Sequence, residues 1–211
     1  MTFTDAFTDT NGVLLQNHGT GWTKICGDDF DIQSNALRRN AATSATYTAY
    51  LRPSDGSADQ IAIADIAATS AGPIVLTSGT SAADFCGYIL RRTSGTSVRI
   101  NKIINGVIQT TNYALVTVAN TLGIGLRATV SGSTVTFDVV RWNGSSYTSL
   151  GVGTGTGSDG TSAFTSGTRG LAHAAATTMT SGGLDAYQDN YSAVVAIPRT
   201  SGLSLGLRLG L

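Results

Sequence analysis

The sequence predicts an all-β protein built as a sandwich or a barrel of short strands. Apolar residues alternate with polar or small residues over many short segments, and turn-forming residues separate those segments. The composition agrees, because all 13 acidic residues are aspartate and only 2 of the 13 basic residues are lysine. Glutamate and lysine favour helices, whereas the threonine, valine, isoleucine and tyrosine that are present favour strands.

Four segments in the first half of the chain carry strand patterns. We expect strands over Phe30 to Leu37, Thr46 to Leu51 and Asp84 to Arg91. Gln60 to Ala68 fits either a strand or one to two helical turns, and its pattern does not decide between them.

The middle of the chain alternates most clearly. A strand over Val98 to Ile104 ends at Asn105-Gly106, which predicts a hairpin because Asn-Gly accepts a positive φ at both turn positions. Leu122 to Val130 alternates next, a Ser-Gly-Ser turn follows, and Val135 to Val139 alternates again.

A second Asn-Gly pair lies in Trp142-Asn143-Gly144, and Tyr147 to Val152 is its expected return strand. Gly151 to Gly170 is rich in glycine, threonine and serine and poor in apolar residues, so we expect a loop or an irregular crossover. Pro198 ends the body, since proline cannot donate to a sheet ladder. The sequence thus divides into a sandwich domain, 1–198, and a C-terminal arm, 199–211.

The charge pattern excludes several classes of partner. The formal net charge is zero and only 12% of residues are charged, so we expect no nucleic acid and no anionic membrane surface. No stretch approaches the roughly 18–20 apolar residues of a membrane span. The start of the chain has neither a basic region nor an apolar run, so no secretory leader is expected.

Cys26 and Cys86 leave three interpretations open: two buried thiols, one disulfide, or a metal site completed by His18 or His173. The metal site is disfavoured because no CxxC or HxxxH spacing occurs. We predict no cofactor and no metal.

Three segments resemble one family. They are the opening stretch from Phe7 to Lys24, the hairpin from Leu126 to Gly144, and Leu184-Asp-Ala-Tyr-Gln-Asp-Asn-Tyr191 near the end. Each is similar to the corresponding part of concanavalin A-like (laminin-G-like) jelly rolls of the kind found in bacteriophage virion proteins. The resemblance spans roughly residues 1–197. It implies two antiparallel sheets packed face to face, with the late strand paired near the N-terminus. It implies no particular activity.

Catalysis is not expected. Glycoside hydrolysis usually needs two carboxyl groups, and glucanases of this fold use glutamates, which this chain lacks. Asp29 with Asp31, or Asp185 with Asp189, are the conceivable aspartate pairs. His18 lies in a polar, turn-rich loop without a Gly-x-Ser-x-Gly elbow, and is expected to pack near Trp22.

Carbohydrate binding without catalysis remains open. Asp185, Tyr187, Asp189 and Asn190 could form a lectin-like glycan site, with calcium held by their oxygens, or could simply belong to a sheet strand. The arginine pairs at 38–39 and 91–92 fit a solvated face or inter-subunit pairing with aspartate better than phosphate binding. Gly153 to Gly157 is not a phosphate loop, because no Lys-Ser/Thr follows it.

The C-terminal arm has the sharpest pattern of all, since leucine occupies every second position. These leucines are Leu203, Leu205, Leu207, Leu209 and Leu211. Such a strand would have one fully apolar face, and leaving it in water would invite aggregation. It either closes its own sheet or adds to the sheet of a partner.

The sequence-based hypothesis is a non-enzymatic bacteriophage virion protein of the capsid decoration or cement type, anchored by strand exchange through its arm. The expected partners are further copies of itself (a trimer would suit capsid geometry) and a major capsid or other virion protein. The alternative is a carbohydrate-binding module of a phage appendage that binds a host glycan. Either would be made in the host bacterial cytoplasm and lie on the virion exterior.

Overall fold

The computed structural model describes residues 2–39, 48–52, 58–174 and 179–190, with side chains for 4–39, 48–52 and 58–174. In this part of the chain the regular elements are strands, apart from one 3-10 helix at Leu15–Asn17. The strands are β1 (Thr2–Asp5), β2 (Thr23–Cys26), β3 (Phe30–Gln33), β4 (Ala36–Arg39), β5 (Thr48–Leu51), β6 (Gln60–Ile66), β7 (Ala71–Ser78), β8 (Cys86–Ser94), β9 (Ser97–Ile104), β10 (Val107–Ile108), β11 (Ala114–Thr117), β12 (Ile124–Ser131), β13 (Thr134–Trp142), β14 (Tyr147–Gly151), β15 (Ser158–Asp159), β16 (Thr168–His173) and β17 (Met179–Asn190).

Over the described residues the strands form two antiparallel sheets. Sheet A has the order β14-β13-β12-β6-β17-β4-β3, with β1 beside β17 and β15 beside β13. Sheet B has the order β10-β9-β8-β7-β16-β5-β2, with β11 beside β9. Strands distant in sequence are neighbours in both sheets, as Greek-key connections require. The predicted two-sheet antiparallel jelly-roll sandwich is confirmed, whereas the C-terminal arm lies outside the described residues.

One apolar core lies between the sheets. Leu90 and Ile100 from sheet B and Leu126 and Val139 from sheet A are fully buried in it. Alternation along each strand sends every second side chain inward, which is why the sequence pattern predicts these strands well. The inward faces of the described strands are therefore filled, and their outward faces are available for contacts with other molecules.

The first hairpin turn follows from backbone conformation. Asn105 and Gly106 have φ of 48° and 75°, as a two-residue type I′ turn requires, and they join β9 to β10. Ser34 and Asn35 also have positive φ, 55° and 59°, and form a turn inside the segment predicted as one strand over 30–37. The prediction of a single strand was wrong, because β3 and β4 form a hairpin there. The turn was missed because serine does not indicate a position with positive φ.

The second Asn-Gly pair, Asn143-Gly144, is confirmed as part of a turn. This turn is longer than the two-residue turn at Asn105-Gly106. The Asn143 side-chain oxygen accepts hydrogen bonds from the backbone N–H groups of Ser145 and Ser146, at 3.0 and 2.9 Å. Only Gly144 of the pair has a positive φ, 96°. This four-residue connection returns the chain so that Tyr147 lies directly opposite Trp142.

The late strand pairs near the N-terminus, as the resemblance implied. β17 runs beside β1, with Thr2 opposite Asn190 and Asp5 opposite Tyr187. It also pairs with β6 and with β4, so it lies inside sheet A.

The segment predicted as a loop, Gly151 to Gly170, is only partly irregular. β15 lies within it, and β16 begins at Thr168. The sequence did not predict β16, because its inward-facing residues Arg169 and His173 are polar although buried. The strand therefore lacks the alternation of apolar and polar residues that indicates a strand. Gln60–Ile66 is a strand, which decides between the two alternatives left open there.

A buried ion pair bridges the sheets. Lys102 of sheet B lies 2.7 Å from an Asp159 oxygen of sheet A, and the two side chains are 5% and 4% exposed. The Tyr88 hydroxyl donates to the same oxygen, and the carbonyl of Ser162 accepts from Lys102. Burial alone would raise the pKa of Asp159, but the hydrogen bonds from Lys102 and Tyr88 lower it overall. Burial of two charges is stable only when they are paired in this way.

The adjacent arginines of β4 use opposite sides of the sheet. Arg38 donates two hydrogen bonds to Asp31 on β3. Arg39 is fully buried, donates through Nε to Asp28 at 2.8 Å, and lies 3.4 Å from His173 on sheet B. The aspartate partners of Arg38 and Arg39 thus lie within the chain, whereas the sequence suggested a solvated face or aspartates of another subunit.

Cys26 and Cys86 are not joined in a disulfide. Cys26 is buried, and the Cys86 thiol is partly exposed and donates to the Asn105 side chain at 3.7 Å.

Gly125 provides a test of packing on the outer face of sheet A. A Cβ there would lie 2.5 Å from Cγ1 of Ile63, 2.8 Å from the Ala62 oxygen and 3.2 Å from Cγ2 of Val140. Glycine to alanine in a strand normally stabilises, but we expect Gly125→Ala to lower the free energy of unfolding by about 1–3 kcal/mol, measured by urea denaturation.

The matched control is Gly95→Ala. Its Cβ would meet nothing within 4 Å, so we expect a change of no more than about 0.5 kcal/mol. Equal effects of the two substitutions would contradict the packing at Gly125.

Candidate functional site

The four residues predicted as a glycan site lie on β17. Tyr187 is opposite Ala64, Asp189 is opposite Ala62, and Asn190 is opposite Thr2. Asp185 belongs to the same strand. The backbone therefore forms a sheet strand and not a loop, while the side chains lie outside the described ones. The leucines of the arm, 203–211, also lie outside the described residues, so both sites stay predictions.

Asp29 and Asp31, considered as a catalytic pair, have separate partners. Asp29 accepts a hydrogen bond of 2.8 Å from Lys24, and the Tyr50 hydroxyl lies 3.2 Å away. The hydrogen bond from Lys24 lowers the pKa of Asp29, against the opposing effect of burial. A catalytic acid needs a raised pKa, so the environment of Asp29 is the reverse of what the acid of such a pair requires.

His18 is held between two carboxylates. Its Nδ1 lies 3.0 Å from Asp9 and its Nε2 3.0 Å from Asp5, and the side chain is only 7% exposed. The other oxygen of Asp5 accepts hydrogen bonds from Thr20 and from the Trp22 indole, both at 2.8 Å. His18 and Trp22 therefore meet through Asp5. This cluster fastens the loop before β2 to the end of β1, and its polar groups are used internally.

The outer face of sheet A carries an aromatic pair. Trp142 on β13 and Tyr147 on β14 are directly opposed across the strands, with ring centroids 4.6 Å apart and planes inclined by 39°. Both side chains are half-buried. They pack against Ile61, Ile63 and Val140, which form the apolar floor of this face.

A polar group follows along the same face. Asp138, two positions before Val140 on β13, accepts a hydrogen bond from Arg127 on β12 and one of 2.8 Å from the Ser149 hydroxyl. Arg127 is 43% exposed and Asp138 13% exposed. A cavity of about 180 Å³ opens beside them, and two threonines, Thr129 and Thr136, contribute to its lining.

We call this combined area the outer-face site: Trp142, Tyr147, Ser149, Arg127 and Asp138. The aromatic end offers flat apolar surface, and the polar end offers a planar guanidinium, a carboxylate and hydroxyl groups. Trp142 lies four positions after Asp138 on β13, a distance of about 13 Å at ~3.3 Å per residue. The site can thus bind an elongated ligand that has both apolar faces and hydroxyl groups.

Sequence reasoning recognised Trp142 only as part of a hairpin. The available signal was the alternation Asp138, Val140, Trp142, which places the three on one strand face. The contributions of β6 and β12 could not be read from the sequence, because they depend on strand pairing over long distances in the chain.

The described residues lack two further features. In that part of the chain, no group of three or more histidine, cysteine or aspartate side chains could hold a metal ion. Among the same residues, no helix has the length and apolar character needed to cross a membrane.

Comparison with known proteins gives distant structural similarities. No protein-family model matches the sequence, and no curated protein matches it. The carbohydrate-binding module CBM66 from Bacillus subtilis is 13% identical, with 80% of this chain and 91% of that chain covered and a TM-score of 0.46. A protein of unknown function from Shewanella oneidensis MR-1 is 8% identical, with 89% and 85% covered and a TM-score of 0.41.

A GH43 glycoside hydrolase, engineered to display both endo-xylanase and exo-arabinofuranosidase activity, is 17% identical. The alignment covers 89% of this chain and 39% of the hydrolase chain, with a TM-score of 0.36. Similarity at these levels assigns the chain to none of these families.

The two histidines predict opposite effects of pH on stability. Burial would lower the pKa of His18, but the hydrogen bonds to Asp9 and Asp5 outweigh it and raise the pKa. Burial and the charge of Arg39 lower the pKa of His173 to about 4. An unfolded histidine titrates near ~6.5. The contribution of His18 to the stability of the folded protein is therefore complete below pH ~6.5. It is lost as the pH rises through the pKa of His18 in the folded protein. His173 stabilises above ~6.5 and loses its contribution as pH falls toward about 4.

We expect the free energy of unfolding, measured by urea denaturation across this range, to be greatest near pH ~6.5. His18→Gln should remove the decline on the alkaline side, and His173→Gln the decline on the acid side. A wild-type curve without the alkaline decline would contradict the assignment to His18. The aspartates with lowered pKa values act at still lower pH, because an unfolded aspartate titrates near ~3.9.

Proposed function

We propose that this chain is a non-catalytic carbohydrate-binding module that binds a glycan at the outer-face site of sheet A. The observation that carries the proposal is the Trp142–Tyr147 pair, with ring centroids 4.6 Å apart, on the same sheet face as Arg127 and Asp138. Sugar rings present apolar C–H faces and rims of hydroxyl groups. The aromatic and polar ends of the site complement these two features.

The polar end is oriented before a ligand arrives. Asp138 is fixed by Arg127, by the Ser149 hydroxyl and by the Gly151 backbone N–H at 3.1 Å. The exposed guanidinium of Arg127 keeps further N–H donors for neighbouring sugar hydroxyls. Groups that are already held in place lose less conformational entropy on binding, which favours affinity.

The absence of catalysis is part of the proposal and is supported by the use of the carboxylates. The chain contains no glutamate. Of the ten aspartates whose side chains the structure describes, seven take part in ion pairs: Asp5, Asp9, Asp28, Asp29, Asp31, Asp138 and Asp159. The other three, Asp59, Asp65 and Asp84, accept hydrogen bonds from backbone N–H groups.

The test is a glycan array of neutral oligosaccharides, followed by pull-down with insoluble bacterial cell-wall polysaccharide. We expect saturable binding by the wild type. Trp142→Ala and Arg127→Gln should each weaken it about tenfold or more, since one lost stacking contact or charged hydrogen bond corresponds to about 1–3 kcal/mol.

Val107→Ala is the matched control, because Val107 is a 61% exposed apolar side chain on the other sheet. It should bind like the wild type. Binding that survives Trp142→Ala and Arg127→Gln but is lost in Asp189→Asn would place the glycan on β17 and overturn the proposed location. Wild-type protein that binds no glycan would overturn the function.

A role on a bacteriophage virion is a second proposal, supported by the sequence alone. The resemblance to virion jelly rolls and the alternating leucines from Leu203 to Leu211 favour a decoration protein that assembles through strand exchange. Such a protein would lie on the virion exterior, be made in the bacterial cytoplasm, and contact copies of itself and a capsid protein. The two proposals are compatible, because an exterior virion protein can also bind host glycans.

Deletion of residues 199–211 tests the arm. We expect the truncated protein to lose oligomer formation in sedimentation and to lose binding to purified capsids, while urea denaturation of the body stays unchanged. A truncated chain that assembles and binds normally would overturn the arm proposal.

A further inference from the structure

Two arginines stand side by side on the outer face of sheet B. Arg91 on β8 lies directly opposite Arg99 on β9. Arg91 follows Ile89 by two positions, and Ile89 belongs to the apolar cluster of the outer face with Ile74 and Ile103. Directly opposed residues have Cβ atoms about 4.5–5.5 Å apart, so two like charges here repel each other.

Among the side chains that the structure describes, no carboxylate pairs with Arg91 or Arg99. Every aspartate whose side chain the structure describes has partners at other residues. The Arg99 Nε is buried and makes no hydrogen bond in this part of the chain. A buried donor without a partner is costly, and here it adds to the repulsion between two guanidinium groups.

Asn101 holds Arg91 in position. It is 1% exposed, and its oxygen accepts a hydrogen bond of 3.0 Å from the Arg91 Nε. Its amide nitrogen donates to the carbonyl groups of Gln109 and Thr111 at 3.2 and 2.9 Å. The Nη groups of Arg91 remain available for another acceptor, so one side of this pair is fixed by a buried polar residue.

The electrostatic environment agrees with the geometry. Burial, and then the charge of Arg99, lower the pKa of Arg91 from its ordinary value. A nearby negative charge would act in the opposite direction. The pair thus has a cost in the unliganded protein that an anion would remove.

We propose that Arg91 and Arg99 bind an oxyanion group, either as a free ion or as the carboxylate or sulfate of an acidic saccharide. Two guanidinium groups on adjacent strands can each direct N–H donors at the oxygens of one such group. The site lies on sheet B, on the face that points away from sheet A, so it is separate from the outer-face site. It does not depend on the proposed binding of neutral glycans.

The test measures thermal unfolding and isothermal titration at low, constant ionic strength, with sodium sulfate, sodium phosphate, glucuronate and glucose as probes and chloride as the balancing anion. We expect saturable binding of at least one oxyanion and no response to glucose at this site. Tighter binding of glucuronate than of the inorganic ions would identify an acidic saccharide as the ligand. Tighter binding of sulfate or phosphate than of glucuronate would identify a free ion as the ligand.

Arg99→Met is the decisive variant. We expect it to bind the oxyanion about tenfold or more weakly, because charged hydrogen bonds are lost. We also expect a higher melting temperature than the wild type without oxyanion, because the repulsion is relieved. A neighbouring half-buried arginine, Arg92, instead donates to the Ala67 and Ser94 carbonyls, so Arg92→Met is the control for loss of one positive charge.

Equal stabilisation of the wild type, Arg99→Met and Arg92→Met by the oxyanions would show only a general salt effect and would overturn the site. Absence of saturable binding to the wild type would overturn it as well. Arg99→Lys keeps the charge but loses the planar fork, and it should bind with intermediate strength.

Discussion

The buried contact between Lys102 of sheet B and Asp159 of sheet A is the interaction that most constrains the rest of the structure. Apolar burial between the sheets provides the driving force. The ion pair adds a further constraint on how the sheets align, because either charge left alone in the core would cost about 3–5 kcal/mol. It holds Asp159 and with it β15, which pairs with β13 at Val135 and Thr136. That pairing sets the edge of the cavity beside Arg127 and Asp138.

The two outer faces of the sandwich differ in charge. On sheet A the guanidinium of Arg127 is neutralised by Asp138, next to an aromatic pair. On sheet B, Arg91 and Arg99 face each other without an acid among the described residues. The zero net charge of the chain therefore conceals a local difference. A neutralised face suits neutral, hydroxyl-rich ligands, whereas a face with two uncompensated cations suits an anion.

The sequence could predict those elements whose stabilising contacts are local or periodic. The alternating strands near 98–104, 122–130 and 135–139 are present, and the turn at Asn105-Gly106 has the expected conformation. The hairpin at Ser34 was missed because a serine rarely adopts positive φ. β16 was missed because Arg169 and His173 are buried by partners distant in the chain. For the same reason the outer-face site was unpredictable as a whole: alternation aligns Asp138 with Trp142, but only the sheet topology brings β6 and β12 beside them.

The restriction of the acids to aspartate has a structural counterpart. A short carboxylate close to the backbone can accept from nearby N–H groups, and Asp65 and Asp84 do so at Gly123 and Ser81. Where the carboxylate reaches another strand, as at Asp31 and Asp138, it meets an arginine whose length compensates for the short acid. These carboxylates therefore stabilise loops and strand pairs within the protein. A protein that uses its acids in this way has arginines, aromatic rings and hydroxyl groups left for recognition, and those are the groups that stand on its two outer faces.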